Sequence, residues 1–530
     1  MPFVALSLIA AAASAQPSPA QPQFDPSLVL IDGHTPFTPP DHDLMRAQLH
    51  GEYQVRFQHQ SDVPLTAPAS DPGASSLGQK NALAHWFRLT PRFDFRDKVA
   101  LIGQIDIPRG FMLGETTSYV GSARDAYAER NPIKIEPRWL YVEATTPYGL
   151  WRLGQQGSSW GMGILANDGT RPTLFGDYRH GSIVERLLFA TKPFGKSVPL
   201  TVALGGDLVF RDRQANLVDG DHAFQGLLSI IYGSPTNQVG IYGVVRRQSR
   251  KQESFDVFTP YTESLNVGVG DIFAKFAAPV PGTPGFVFGE LEAAIIHGST
   301  NYIRTSESSA RGQRENVRSY GGAARAGFVH TTTEGGNRWG NAALTLEWGY
   351  ASGDANPNDG TQRRFTFESN HNVGLVLFQQ AIAWSTARSA VLASDPALMN
   401  RPSPGLQYYP SDGAIFGATY LYPAVVVRPK PWLDLKGAML LAQTTSDVVD
   451  PYRYGVLGQI AGWRGGDPKR HDLGMEFDLG FEARVALEYG MTLQLGAQGG
   501  ILVPGHALDD ASGNAMPNQG VAVGRFGLQY

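Results

Sequence analysis

The sequence predicts an all-β fold: a transmembrane antiparallel up-and-down β-barrel of about 18 strands. Three observations predict it. Apolar and polar residues alternate with a period of two over stretches long enough to cross a bilayer. The composition is rich in glycine and aromatic residues and poor in charge. Short turns alternate with long loops along the whole chain.

The alternation is clearest from Leu473 to Val503. The odd positions run Leu473, Met475, Phe477, Leu479, Phe481 and onward to Ile501 and Val503, all apolar or glycine. The even positions include Glu476, Asp478, Glu482, Arg484, Glu488, Gln494 and Gln498. Successive side chains of a strand leave opposite faces, so one face is apolar and the other polar. A turn at Tyr489-Gly490 folds the stretch into a hairpin. Strands of this length exceed the roughly five or six residues usual in soluble sheets. They fit a wall between lipid and a watery lumen.

Composition agrees. The 530 residues include 61 Gly, 27 Phe, 20 Tyr and 9 Trp. With 44 Lys+Arg against 48 Asp+Glu the net charge is −4, which excludes the basic footprint of a nucleic-acid binder. There is no cysteine, so disulfides and thiolate metal sites are excluded. No apolar run beyond the N-terminus is long enough for a membrane-spanning helix.

Taken in order, residues 1–15 read as a signal peptide: an apolar segment ending Ala13-Ser14-Ala15, an A-x-A-type cleavage site. Residues 16–43, rich in Pro and Asp, read as a flexible periplasmic lead-in. The barrel is assigned to 44–530. Its first strand sets Leu49, Tyr53, Val55 and Phe57 against Arg46, Glu52 and Arg56. The second and third set Leu83, Phe87, Leu89, Phe93 and Phe95 against Arg88, Arg92, Asp94 and Arg96, then Val99, Leu101, Ile105 and Ile107 against Gln104 and Asp106. Short turns follow near 97–98, 146–149, 193–198, 233–237, 279–285, 333–338, 429–431 and 489–490. Longer connections lie between them, near 60–81, 107–135, 158–183, 211–222, 248–265, 300–317, 352–412, 445–472 and 504–520. That count, with both termini at the turn end, gives about 18 strands. The last strand carries Phe526, Leu528 and Tyr530 on one face. A C-terminal aromatic of this kind resembles the signal read by the outer-membrane barrel-assembly machinery. That machinery and outer-membrane lipid are the expected partners, and the bacterial outer membrane the expected location.

The longest connection, 352–412, contains its own apolar stretch from Val373 to Trp384. A structureless loop of that length is improbable. Val373, Leu377, Ala381 and Trp384 fit one face of a helix, which would be buried inside or across the pore mouth. Two further strands over 371–392 are the alternative reading.

The inward positions carry the candidate function. The pore-lining candidates are Arg46, Glu52, Arg56, Arg88, Arg92, Asp94, Arg96, Asp106, Arg152, Glu347, Glu476, Asp478, Glu482, Arg484 and Glu488, and Asp207, Glu290, Glu292 and Asp434 add acidic groups. Rings of such charges set ion selectivity. Arg88, Arg92 and Arg96 suggest a selectivity ladder, and the basic first strands would pair with the acidic last strands across the barrel seam. Asp354, Asn356 and Asn358 alternate as calcium ligands do, but Gly is missing from the sixth place and Glu from the twelfth. They read first as an Asx-rich turn. No G-x-S-x-G, H-E-x-x-H or recognisable Ser/His/acid spacing occurs, so neither enzyme activity nor a cofactor is expected. Trp139, Tyr141, Trp151, Trp348, Tyr350 and Tyr420 are expected in the interfacial aromatic girdle.

Two motifs carry a resemblance. Tyr148 to Gly163, with Gly176-Asp177 and Glu185-Arg186, resembles an uncharacterised family of bacterial outer-membrane β-barrel proteins. Gly349 to Gly360, followed by Phe367 and His371, is similar to a strand-to-loop segment of the alginate-export, porin-like barrel family. The resemblance implies an 18-stranded exporter or porin-like barrel, and for the exporter, periplasmic export proteins as partners. Alginate exporters are expected to have a strongly basic lumen, whereas the inward positions here are mixed. The resulting expectation is an outer-membrane channel passing hydrophilic solutes or exporting a polysaccharide. The alternatives are a plugged interaction barrel with extracellular binding loops and, behind it, a barrel-embedded hydrolase.

Overall fold

The computed structural model describes residues 45–67, 75–96, 98–114, 135–176, 181–195, 197–252, 261–302, 314–331, 341–356, 359–395, 398 and 406–530. The signal peptide and lead-in, the turn at 333–338 and Asn358 lie outside these. The wall begins with β1 (Met45–Gln60), β2 (Lys80–Phe95), β3 (Val99–Gly114), β4 (Glu136–Thr146), β5 (Gly149–Gly157) and β6 (Ile183–Thr191). It continues with β7 (Leu200–Arg211), β8 (Asp221–Gly233), β9 (Gln238–Gln252), β10 (Tyr261–Pro279), β11 (Gly285–Thr300), β12 (Glu315–His330) and β13 (Asn341–Ala351). The two-residue β14 (Thr361–Gln362) lies parallel to the loop end of β12 and is not a wall strand. Then come β15 (Ala418–Lys430), β16 (Leu433–Thr444), β17 (Asp472–Ala486), β18 (Thr492–Pro504) and β19 (Gln519–Gln529).

Each wall strand pairs antiparallel with its neighbours in sequence, β13 pairs with β15, and β1 pairs with β19, with Glu52 opposite Gln529 and Gln60 opposite Val521. The ring is therefore a closed 18-strand up-and-down barrel. Closure removes every sheet edge, which a bilayer requires because it offers backbone groups no water.

The period of two reads out as expected. Leu479 is 71 % exposed while its neighbours Asp478 and Gly480 turn inward, and Leu344, Val245 and Ile295 repeat the outward pattern. One position breaks parity. Leu473 is buried, because Gly474 adopts φ 107 where the β16–β17 register shifts beside Ala442 and Gln443. A bulge of this kind flips the face of every residue beyond it.

The apolar stretch of the long loop is helical, which overturns the two-strand alternative. Leu377–Ile382 forms a π-helical turn and runs into α1 (Ala383–Ala393), with Gln380 and Ala381 both donating to the Val376 carbonyl. Val373, Leu377 and Ala381 are buried, and the Trp384 indole N–H donates to Gln380 Oε1 at 3.1 Å. A second short helix, α2 (Pro451–Leu457), packs against α1 from the 445–471 loop.

Candidate functional site

The loop end of the lumen is filled by a packed core. Val63, Leu65 and Leu77 come from the first loop, Met162, Ile164 and Phe175 from 158–182, and Phe365, Phe367 and Val373–Phe378 from 352–417. Trp463 and the 505–518 loop, through Leu508 and Met516, complete it. The turn end is different. There the inward positions Arg46, Gln48, Glu52, Gln54, Arg92, Glu143, Arg152 and Gln494 are only partly buried.

Wall carboxylates hold two of the loops inside the barrel. Glu292 on β11 accepts the N–H of Gly163 at 2.8 Å, and Asp271 on β10 accepts the Trp160 indole N–H at 2.9 Å. Trp160 stacks on Tyr242 with centroids 5.0 Å apart and meets Phe273 edge-on. Gly161 and Gly163 have φ of 50° and 83°, the left-handed region glycine enters at no steric cost. Five wall strands from β11, Glu476 of β17 accepts the N–H groups of Leu375, Val376 and Leu377, with Asp478 next along the same face. An anionic group beside the unsatisfied amides at a helix start is favourable.

Between these anchors Glu347 collects three partners. Tyr420 donates at 2.6 Å, Arg325 Nε donates at 2.7 Å, and His371 Nε2 lies 2.9 Å away. Arg325 also donates to Glu290 at 2.9 Å. The Phe367 and His371 rings that carry part of the second resemblance thus stand in the loop core beside Glu347.

The other sequence candidates are placed as follows. Arg88 is buried and makes a two-bond pair with Asp106 at 2.8 and 3.0 Å. Arg92 pairs with Asp94, and Arg152 with Glu143, both at 2.7 Å. Arg484 bonds both Asp434 and Glu482, and Arg428 and Lys436 join the same group. Arg46, Glu52 and Arg56 face inward on β1. Two candidates are corrected. Arg96 follows the end of β2 in a turn at φ 49, and Glu488 lies in the β17–β18 turn; both are exposed and off the lumen wall. The arginine ladder accordingly loses its third rung, and its first is neutralised by Asp106.

The ion pairs given above do not cross the seam between β1 and β19. These ion pairs join adjacent residues or adjacent strands on each side, because neighbouring strands lie only about 4.8 Å apart. The acidic strands near the C-terminus carry their own cations. Trp139, Tyr141 and Tyr420 leave the girdle as well: all three are buried inward, whereas Trp151 and Trp348 are exposed on the outside. Asp354 accepts the N–H groups of Asn356 and Arg363, and the Arg363 guanidinium pairs with Asp359 at 2.6 Å and lies 4.0 Å from Asp354. Among the described residues no cluster of three metal-ligating side chains occurs.

Sequence reading missed Asp271, Arg325, Arg138 and Arg428. Asp271 sits in Val-Gly-Val-Gly-Asp-Ile-Phe, where both faces are apolar or glycine and the alternation is silent. Arg138 is fully buried, donating to Gln104 at 2.8 Å and to the Asp168 carbonyl. Buried arginine demands partners of this kind, but they lie on other elements.

A closed antiparallel barrel, apolar outside and charged inside, defines an integral outer-membrane β-barrel protein. No known family model matches the chain, and no curated protein matches it. Among solved structures the chain is similar to Pseudomonas aeruginosa OccK9 (OpdG), at 11% identity over 91% of this chain and 98% of that one, with a TM-score of 0.48. It is also similar to the outer membrane protein OprD from Pseudomonas aeruginosa, at 9% identity over 91% and 94%, TM-score 0.46. Acinetobacter baumannii OccAB1 matches at 10% identity over 91% and 96%, TM-score 0.45.

Proposed function

We propose that this protein is an outer-membrane channel that passes small hydrophilic solutes through a charged lumen narrowed by inward-folded loops. One observation carries the reading. Glu292 and Glu476 fix two loops inside the barrel, while the turn-end half keeps Arg92, Arg152 and Glu143 partly exposed along the wall. Fixed loops with a hydrated, charged approach are what a selective diffusion path needs. A substrate-binding enzyme site would instead bring a nucleophile or a base to a cleft, and the reading includes no enzymatic activity. Lipid around the wall and assembly through the Phe526–Tyr530 end belong to the same proposal.

The test is conductance of the refolded full-length protein in a planar bilayer under a salt gradient. Discrete open steps with a defined reversal potential are expected. Silence from protein whose circular dichroism shows folded β would overturn the channel and favour a plugged interaction barrel. The polysaccharide-export alternative separates in the same recording, because an exported polyanion would block the current from the turn side.

A further inference from the structure

The outer wall carries a contiguous patch of outward glycines on β7 to β10. Across β6 to β12 the outward residues can be followed strand by strand through the register. One row reads Leu187, Gly206, Gly226, Val245, Gly268, His297 and Arg318. The next row toward the turn end reads Phe189, Leu204, Leu228, Gly243, Gly270, Ile295 and Tyr320. Five glycines thus occupy positions where leucine, isoleucine or valine faces lipid elsewhere. They leave a shallow apolar groove of about 990 Å³ between Leu187, Leu204, Leu228, Val245 and Ile295. A Cβ at Gly206 or Gly226 would meet no atom within 4 Å.

The groove rises to a basic cluster. His297 lies in it, Arg318 is the cross-strand partner of His297, and Arg247 stands one outward step above Val245. All three are exposed, at the loop-end edge of the apolar wall, and none has a hydrogen-bond or ion-pair partner among the described residues. Among the described wall residues on the Arg247 level the outward carboxylate is Glu185, three strands away on one side, while Arg318 lies three strands away on the other, each roughly 14 Å at the usual strand spacing. An apolar trough ending in two arginines and a histidine at the headgroup level complements an anionic lipid.

We propose that this groove seats an anionic lipid of the outer leaflet, its acyl chain along the five glycines and its phosphate groups spread between Arg247 on β9 and the Arg318–His297 pair on β12 and β11. The charge pattern decides against a second copy of this chain. A twofold contact on this face would bring the two basic clusters together, and like charges meeting in a low-dielectric layer repel. Each cation near an anionic headgroup contributes measurably to lipid affinity, and each buried methylene adds to it.

The experiment is native mass spectrometry of the full-length protein in detergent, titrated with bisphosphorylated lipid A. Wild type is expected to retain one lipid A, and dephosphorylated lipid A to bind less. R247Q/R318Q is expected to weaken retention by roughly tenfold or more. G226L/G243L, which fills the groove without touching its charge, is expected to weaken it as well. Gly524→Leu on β19, another open outward glycine, is the matched control and should leave it unchanged. Heat-modifiable migration verifies that each variant is folded. Equal retention by wild type and R247Q/R318Q overturns the proposal. So does displacement by inorganic phosphate, which would indicate a phosphate site, or a dimer that G226L/G243L abolishes, which would indicate a protein interface.

Discussion

Glu476 on β17 accepts the N–H of Leu377, the first residue of the π-helical turn, at 2.7 Å. The same carboxylate takes the N–H groups of Leu375 and Val376. No side chain caps this helix from its own sequence, so a wall residue about a hundred positions away does so. Hydrogen bonds to a charged group contribute about 1.5–3 kcal/mol each. Glu476→Ala is therefore expected to free the 372–382 segment from the wall, raising single-channel conductance and open-channel noise, and Glu476→Gln to fall between. Traces indistinguishable from wild type would show that this loop does not narrow the path.

The second loop is held by β11, five wall strands from β17, and glycine is what permits it. A Cβ on Gly161, already at φ 50°, would lie 2.5 Å from Glu292 Oε2. Gly161→Ala must therefore push the loop off its anchor. Faster chymotrypsin cleavage after Phe175, which is buried in the loop core, and a larger conductance are expected. The Gly161→Ala and Glu476→Ala effects should be non-additive, since the two loops share one packed core and the Glu368 N–H donates to the Ile164 carbonyl at 2.8 Å. Strict additivity would mean the two loops move independently.

Burial divides the lumen arginines into two kinds. Arg88 and Asp106 are both shielded from water, so Arg88→Gln takes from a buried carboxylate the guanidinium that makes two hydrogen bonds to it. Such a change costs about 3–5 kcal/mol and should appear as a lowered unfolding temperature with ion preference little changed. Arg152 and Glu143 keep 32% and 20% of their side chains in contact with water. Arg152→Gln should move the reversal potential toward cations and Glu143→Gln toward anions, with little loss of stability because exposed pairs contribute at most about 1 kcal/mol. Equal reversal potentials for these two variants would remove the wall pair from the selectivity argument.

The barrel was legible because its signal is local. Period-two alternation in β17 and β18 and the spacing of turns such as Tyr489-Gly490 need no tertiary knowledge, and they were enough to count the wall strands. The helix over 377–393 was legible in part, from Val373, Leu377 and Ala381 on one face. What the alternation cannot report is pairing around the barrel. Asp106 next to Arg88, or Glu347 among Arg325, His371 and Tyr420, depends on register between strands and on loops entering from above. Strand ends mislead for a related reason: Arg96 and Glu488 continue a charged row by count, yet the chain turns before they reach the lumen. The groove row was invisible for the same reason, since its glycines sit on four different strands and align only through the register.

Asp450 gives the loop cluster a pH dependence whose sign follows from its surroundings. It caps α2, accepting the Arg453 N–H at 3.1 Å, and is 1% exposed. Burial pushes its carboxyl up to about 7, against the opposing pull of Ser389, the Arg453 and Tyr452 N–H groups and the Arg453 charge. A carboxyl raised above its ordinary value of 3.8 holds a proton more firmly in the folded loop. Its stabilising contribution is complete below about pH 4 and is lost as pH rises through about 7. Contact between α1 and α2, through Tyr452 and Leu392, should accordingly loosen between pH 5 and pH 8. Amide exchange across 451–457, corrected for intrinsic rates, reads this directly and should show lower protection at the higher pH. Asp450→Asn keeps a capping oxygen but cannot ionise, so protection in that variant should be level across the range. A pH slope that survives Asp450→Asn would assign the effect to another group.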